Sequence, residues 1–405
     1  MSLFDKFQKN AVLYNALSEA GRNPFTVQMD EILGPTRAIA KGKEIVLAGT
    51  NNYLGLTFRD EVVAAAQAAV AAQGAGTTGS RFANGTYASH KALERALAEF
   101  LGFSHCIVFS TGYQANLGAI SALAAPDKDV IFIDADCHAC IYDGCQLSGA
   151  QTVRFRHNSP EDLDRRLSRL DGDEKYAGMG RLVCIEGMYS MFGDVAPVKE
   201  FLDVARRHGA YLFVDEAHSF GVYGENGRGV AEAQGVIDEI DFYSGTFSKS
   251  LVSIGGFVAS NHPELDYLRF SARPYMFTAS PSPANVAAAT AALQCIAAEP
   301  ELRERVWANA RRVHEAFTQL GLETCAPPGP VIAVKLPDKE TAFAAWSFLI
   351  DRGVYVNLAI PPGTPNAASI LRLSVSAAHT DDDLDIVIDA YGAMAETFAQ
   401  ARVTA

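Results

Sequence analysis

The chain has 405 residues, 49% hydrophobic and 20% charged, with 33 Gly and 17 Pro. That is ordinary for a soluble globular protein and enough for two domains, since one core rarely grows past about 250–300 residues. A net charge of −13 excludes a nucleic-acid binder held by phosphate contacts, and with no run of ~18 apolar residues a membrane span is excluded too.

The opening segment, MSLFDKFQKNAVLYNALSEAG, mixes charged and apolar residues at helical spacing. It predicts an amphipathic helix or arm packed on the protein's own surface, with peripheral membrane contact as the alternative, rather than a secretory leader. Seven cysteines, several of them inside apolar segments (Cys106, Cys184, Cys295), suit a reducing compartment and a cytoplasmic location.

From about residue 100 to 260, apolar β-branched runs alternate with helical patterns. Strands are predicted at 105–110, 129–134, 151–156, 181–186, 210–217, 241–245 and 254–260, with helices such as 160–170 and 198–208 between them. Strands that are apolar throughout and separated by helices imply a mostly parallel sheet covered on both faces. The run 254–260 follows its predecessor too closely for a crossover helix, so it should pair antiparallel. An Ala-rich helix (285–298) leads into a small α+β unit: helix 301–320, strand 331–336, helix 339–352, strands 354–359 and 369–376, and a last helix from Asp381. The expected division is an arm over 1–57, a major domain over 58–284 and a small domain over 285–405.

Several motifs sit on this frame. Residues 74–79, GAGTTG, match the dinucleotide pattern GxGxxG, but a helix precedes them where a strand is required, so segment 74–90 reads as a Gly-rich active-site loop. Cys137, Cys140 and Cys145 look like a redox or zinc motif without a second ligand pair, so no metal is expected. The segment STGYQAN (110–116) opens a helix, where free N–H groups and Gly112 can hold a phosphate.

The densest chemistry runs from Val214 to Lys249. VDEAH and GTFSKS place Asp215, His218, Thr246, Ser248 and Lys249 at the ends of two apolar strands. That set suits pyridoxal phosphate (PLP). A lysine amine forms a Schiff base with the aldehyde, a carboxylate keeps the pyridine nitrogen protonated, and hydroxyls bind the phosphate. Open parallel sheets put their sites at such strand ends. His138, after strand 129–134, stands where a ring could stack on the cofactor. Arg372, inside the apolar strand SILRLSVS, suits either a substrate carboxylate or an interdomain salt bridge.

NNYLGL, GTTGSR, STGYQAN, DADCHAC, EGMYSMFGD, VDEAHSFG, GTFSKS and FTASPSP together resemble the α-oxoamine synthase family of fold-type I PLP enzymes, over about residues 45 to 380. Within it, RFRHNSPEDLDRRL and VYVN are most similar to the bacterial serine palmitoyltransferases. The resemblance implies a fold-type I PLP-dependent transferase with a seven-stranded, mostly parallel sheet, helices on both faces and a smaller α+β C-terminal domain. It implies that Lys249 carries the cofactor and acts as base and acid at Cα. Asp215 would bond the pyridine nitrogen and His218 the ring oxygen, with His138 stacked on the ring. Gly112, Tyr113, Thr246 and Ser248 would hold the phosphate side. Thr278 and Ala279 would reach it from the other subunit of a homodimer, and Asn52 and Arg372 would contact the amino acid.

The implied reaction is a decarboxylative condensation of L-serine with an acyl thioester, palmitoyl-CoA or an acyl-carrier-protein donor, giving 3-oxosphinganine for sphingolipid synthesis. Members using glycine or alanine, of the glycine C-acetyltransferase and 8-amino-7-oxononanoate synthase types, are the alternative. A non-catalytic partner subunit would lack the lysine found here as Lys249. One departure stands out: Ile360 occupies the place where the resemblance leads one to expect a second Arg.

Overall fold

The computed structural model describes residues 2–19, 23–361 and 363–403. Its packing divides the chain into two compact units, residues 51–308 with 376–378, and residues 1–50 with 309–375 and 379–405.

The larger unit is built on a sheet of β1 (His105–Phe109), β2 (Asp129–Asp134), β3 (Gln151–Phe155), β4 (Gly180–Glu186), β5 (Tyr211–Asp215), β6 (Phe242–Thr246) and β7 (Gly256–Ser260). Their spatial order is β1-β7-β6-β5-β4-β2-β3. Strands β2 to β6 run parallel to one another, and β7 lies antiparallel to both β1 and β6. This is the α/β architecture expected, including the reversed last strand. β2 buries five of its six residues, which requires cover on both faces. Helix Val198–Arg207 supplies such cover because Val198, Phe201, Leu202 and Ala205 recur at three- and four-residue spacing.

The domain limits differ from those expected. Helix Pro283–Ala298 packs against helix Asp60–Gln73, and both are rich in alanine, which lets their backbones approach closely. That packing keeps 285–308 with the sheet, so the limit expected at 284/285 falls instead at 308/309, within helix Glu301–Gln319.

In the smaller unit, strands Glu31–Ile32, Arg37–Ala40 and Lys43–Leu47 form an antiparallel ribbon, and Val354–Tyr355 adds to it in parallel. These pairings explain why residues 1–50 are not a separate arm ending at 57. A second sheet sets Ser369–Ser374 between Val331–Leu336 and Asn357–Ala359. Val46, Phe317, Trp346, Val356, Leu371 and Tyr391 share its apolar core. The expected N-terminal helix is Gln8–Glu19; Leu3 and Phe4 before it and Val12 within it are exposed, and Leu17 is half-buried. Among the described residues no helix is long and apolar enough to cross a membrane.

Candidate active site

Eight of the sequence-predicted residues line one pocket at the carboxyl edge of the large sheet: Gly112, Tyr113, His138, Asp215, His218, Thr246, Ser248 and Lys249. Strand β5 delivers Asp215 after four consecutive buried or half-exposed apolar positions, and the carboxylate ends up buried. Its Oδ1 accepts from the Ala217 N–H at 2.9 Å and its Oδ2 from the Asn116 amide at 2.6 Å. A carboxylate oxygen has two acceptor directions, so Asp215 is oriented yet can still receive a further N–H.

The anion end is shaped by glycine. Thr111 caps helix Gly112–Leu123 by accepting from the Gln114 N–H at 3.1 Å. A Cβ on Gly112 would lie 2.6 Å from the Thr246 side chain, and one on Gly256 would lie 2.5 Å from Gly112 Cα. Only glycine therefore lets the helix start, the end of β6 and the start of β7 come this close. The Oγ atoms of Thr246 and Ser248 lie 2.9 Å apart beside that helix start. Free N–H groups, the positive end of the helix dipole and two hydroxyls make an anion cradle.

His138 caps helix Ala139–Ser148, its Nδ1 accepting from the Cys140 N–H at 3.2 Å. Its own backbone N–H donates to Glu186. Burial lowers the imidazole pKa and the Lys249 charge adds to this, against the pull of Asp215, so the neutral ring is favoured. Tyr113 meets it edge-on at 6.0 Å. The Tyr113 hydroxyl donates to Asp143, which raises the phenol to about 12. His218 is held by the Tyr53 hydroxyl, 2.7 Å from its Nδ1.

Three contributors escaped the sequence reading. Asn116 lies four residues after Gly112, hence on the same helix face, a spacing that could have flagged it. Glu186 ends β4 directly beside Asp215 on β5, the same strand-end signal that marked Asp215. Burial and the Asp215 charge push its carboxyl well above the usual range. Tyr53 carries no sequence signal for its role.

The remaining expected residues are not among the lining of that pocket. The Thr278 hydroxyl accepts from Gln114 Nε2 at 3.2 Å, and the Ala279 carbonyl accepts from Ser110, both in the same chain and outside the Lys249 pocket lining. The Asn52 side-chain amide donates to Thr57 at 2.9 Å, and the Asn52 backbone carbonyl accepts from the Ser376 hydroxyl at 2.6 Å. Arg372 is buried in the central strand of the smaller unit's second sheet, with Ser374 Oγ at 3.2 Å. Ile360 is half-buried against that unit's apolar core.

The pocket's chemistry fits PLP. It combines one amine, one oriented carboxylate, a neutral imidazole wall and a cradle that a Cβ would fill.

Residues 43–390 match the aminotransferase class I and II family. A serine palmitoyltransferase of Caulobacter vibrioides is 51% identical over 97% of this chain and 96% of its own. One from Sphingomonas paucimobilis is 48% identical, covering 96% and 92%. A putative 8-amino-7-oxononanoate synthase of Desulforudis audaxviator is 42% identical, covering 89% and 92%. Among solved structures, a serine palmitoyltransferase variant from S. paucimobilis with bound PLP–myriocin aldimine superposes with a TM-score of 0.94 at 46% identity, covering 98% and 99%.

Proposed function

We propose that this chain, which belongs to the aminotransferase class I and II family, is a PLP-dependent serine C-palmitoyltransferase. It condenses L-serine with palmitoyl-CoA. A bond forms between serine Cα and the thioester carbonyl, CoA leaves, the bond from Cα to the carboxylate breaks, and a proton returns to Cα. The products are 3-oxosphinganine, CoA and CO₂.

PLP, when bound, withdraws electrons from Cα and so makes its proton removable. The chain supplies the rest. Lys249 holds the cofactor and takes the Cα proton, a role set by reach more than by basicity. Asp215, steadied by Asn116, would keep the pyridine nitrogen protonated. His138 would cover the ring as a neutral imidazole, and the helix start at Gly112 with Thr246 and Ser248, which line the same pocket, would hold the phosphate. We assign Asn52 and Arg372 to the serine carboxylate and side chain. The single observation that carries the reading is Lys249 and Asp215 lining one pocket with that cradle.

We also propose a homodimer in which Thr278 and Ala279 complete the partner's phosphate site. Support comes from an apolar surface beside them: Phe270 and Phe277 are 70% and 74% exposed, and Phe82 meets Phe270 edge-on at 6.0 Å. Seven unbridged cysteines suit the cytoplasm. The exposed Leu3, Phe4 and Val12 offer surface for peripheral membrane contact.

The test is a titration of the holoenzyme's visible absorbance with L-serine, glycine and L-alanine in turn, followed by CoA release with palmitoyl-CoA. A saturable change with serine, then release of CoA, is expected. A response to glycine or alanine alone would move the chain to a sister activity.

A further inference from the structure

His157 stands outside the pocket, in the RFRHNSPEDLDRRL segment, yet it ties together the exits of three strands. Its Nδ1 lies 2.9 Å from Asp134 Oδ1, at the end of β2, and its Nε2 lies 2.7 Å from Asp194 Oδ2, in the segment after β4. Asp136 Oδ2 is 3.8 Å from Nδ1. Asn158 repeats the bridge: its N–H donates to Asp134 at 2.8 Å and its amide to Asp194 at 2.9 Å. Tyr189 packs edge-on against the imidazole at 4.5 Å.

A neutral imidazole has one N–H and would turn a lone pair toward one of these carboxylates. Both nitrogens face carboxylate oxygen, an arrangement that favours the doubly protonated ring. Burial opposes that charge, but the hydrogen bonds and charges of Asp134 and Asp194 outweigh it and raise the pKa to about 10. The other charged groups at the cluster are Asp136 and, acting on Asp136, Arg154.

From Asp134 the chain runs only four residues to His138, whose N–H donates to Glu186 at the end of β4. Asp194 lies in the segment that follows this strand end, where the Tyr189 N–H donates to its carbonyl at 2.9 Å. Asp134 therefore leads into the segment that carries His138, and Asp194 follows the strand whose last residue, Glu186, holds the His138 N–H.

We infer that His157 is a positioning residue: as an imidazolium clamped by Asp134 and Asp194, it fixes the segment that presses His138 against the cofactor. The inference rests on the PLP reading of the pocket. Its chemical consequence is cofactor retention, because a displaced His138 loses ring contact while Lys249 and the phosphate cradle stay in place.

The experiment is a double-mutant cycle read by PLP affinity. Apoproteins of wild type, His157→Gln, His138→Ala and the double variant are titrated with PLP, following visible absorbance. Loss of His157 should weaken PLP binding about tenfold in the wild-type background and add nothing once His138 is gone. Effects that multiply, or unchanged affinity in His157→Gln, would overturn the inference. Should His157→Gln fail to fold, the wild-type holoenzyme still decides: nitrogen-detected NMR at mildly alkaline pH should show both His157 ring nitrogens protonated, and a neutral tautomer rejects it. A wild-type apoprotein that fails to take up PLP would instead sink the cofactor reading itself.

Discussion

Lys249 is the residue to which the proposed chemistry assigns the cofactor. Lys249→Ala should abolish turnover and remove the Schiff-base absorbance of bound cofactor, while the fold survives; a variant that still turns over would refute the mechanism. His157 makes a claim on stability. Its folded pKa of about 10 exceeds the free value of 6.5, so its contribution is complete below pH 6.5. The contribution falls as pH rises from there and is gone once pH passes about 10. Denaturant midpoints measured across that window should decline in the wild type and flatten in His157→Gln. That Lys249 and Asp215 share a pocket was legible because motif and strand end coincide. Tyr53 was not, since only the folded chain brings its hydroxyl to His218 across 165 residues.

The helix Gly112–Leu123 shows how an element makes a site. Thr111 caps it, Gly112 opens it, and Asn116 reaches back to Asp215, so one helix start supplies both an anion cradle and the clamp on the carboxylate. Gly112→Ala sets a methyl 2.6 Å from Thr246. It should cost about 1–3 kcal/mol of stability, typical of overpacking, and weaken PLP binding more than it weakens serine binding, as paired titrations would show. The elements themselves were largely readable, because buried strands and amphipathic helices carry different periods. The run VYVNLA was not. It reads as one strand over 354–359, yet Val354–Tyr355 pairs with Lys43–Leu47 and Asn357–Ala359 with Ser369–Ser374. A β pattern states that a segment is extended, not which neighbour it joins.

For the molecule as a whole, the exposed aromatic surface around Phe270 and Phe277 bears on assembly. If the proposed dimer forms through this surface, Phe270→Asp combined with Phe277→Asp should leave a monomer in sedimentation where the wild type is a dimer, and PLP affinity should fall with it if Thr278 and Ala279 serve the partner's site. A dimer that persists with unchanged affinity would refute the shared site. Domain limits were less readable than strands. Alanine-rich helices give no sign in sequence of which core they cover, and it is the packing of Pro283–Ala298 on Asp60–Gln73 that assigns residues 285–308 to the sheet unit.

The sequence by itself determined the succession of buried strands and covering helices, the reversed seventh strand, and the cofactor: those follow from local hydrophobic period and from residue types at strand ends. Tertiary structure alone decided the partners that make the residues work. Asn116 on Asp215, Tyr53 on His218, Glu186 on the His138 backbone and the two aspartates around His157 all join segments distant in the chain. The reason is physical: hydrogen bonds act over about 3 Å, and sheet order rather than sequence spacing sets which strand ends come that near.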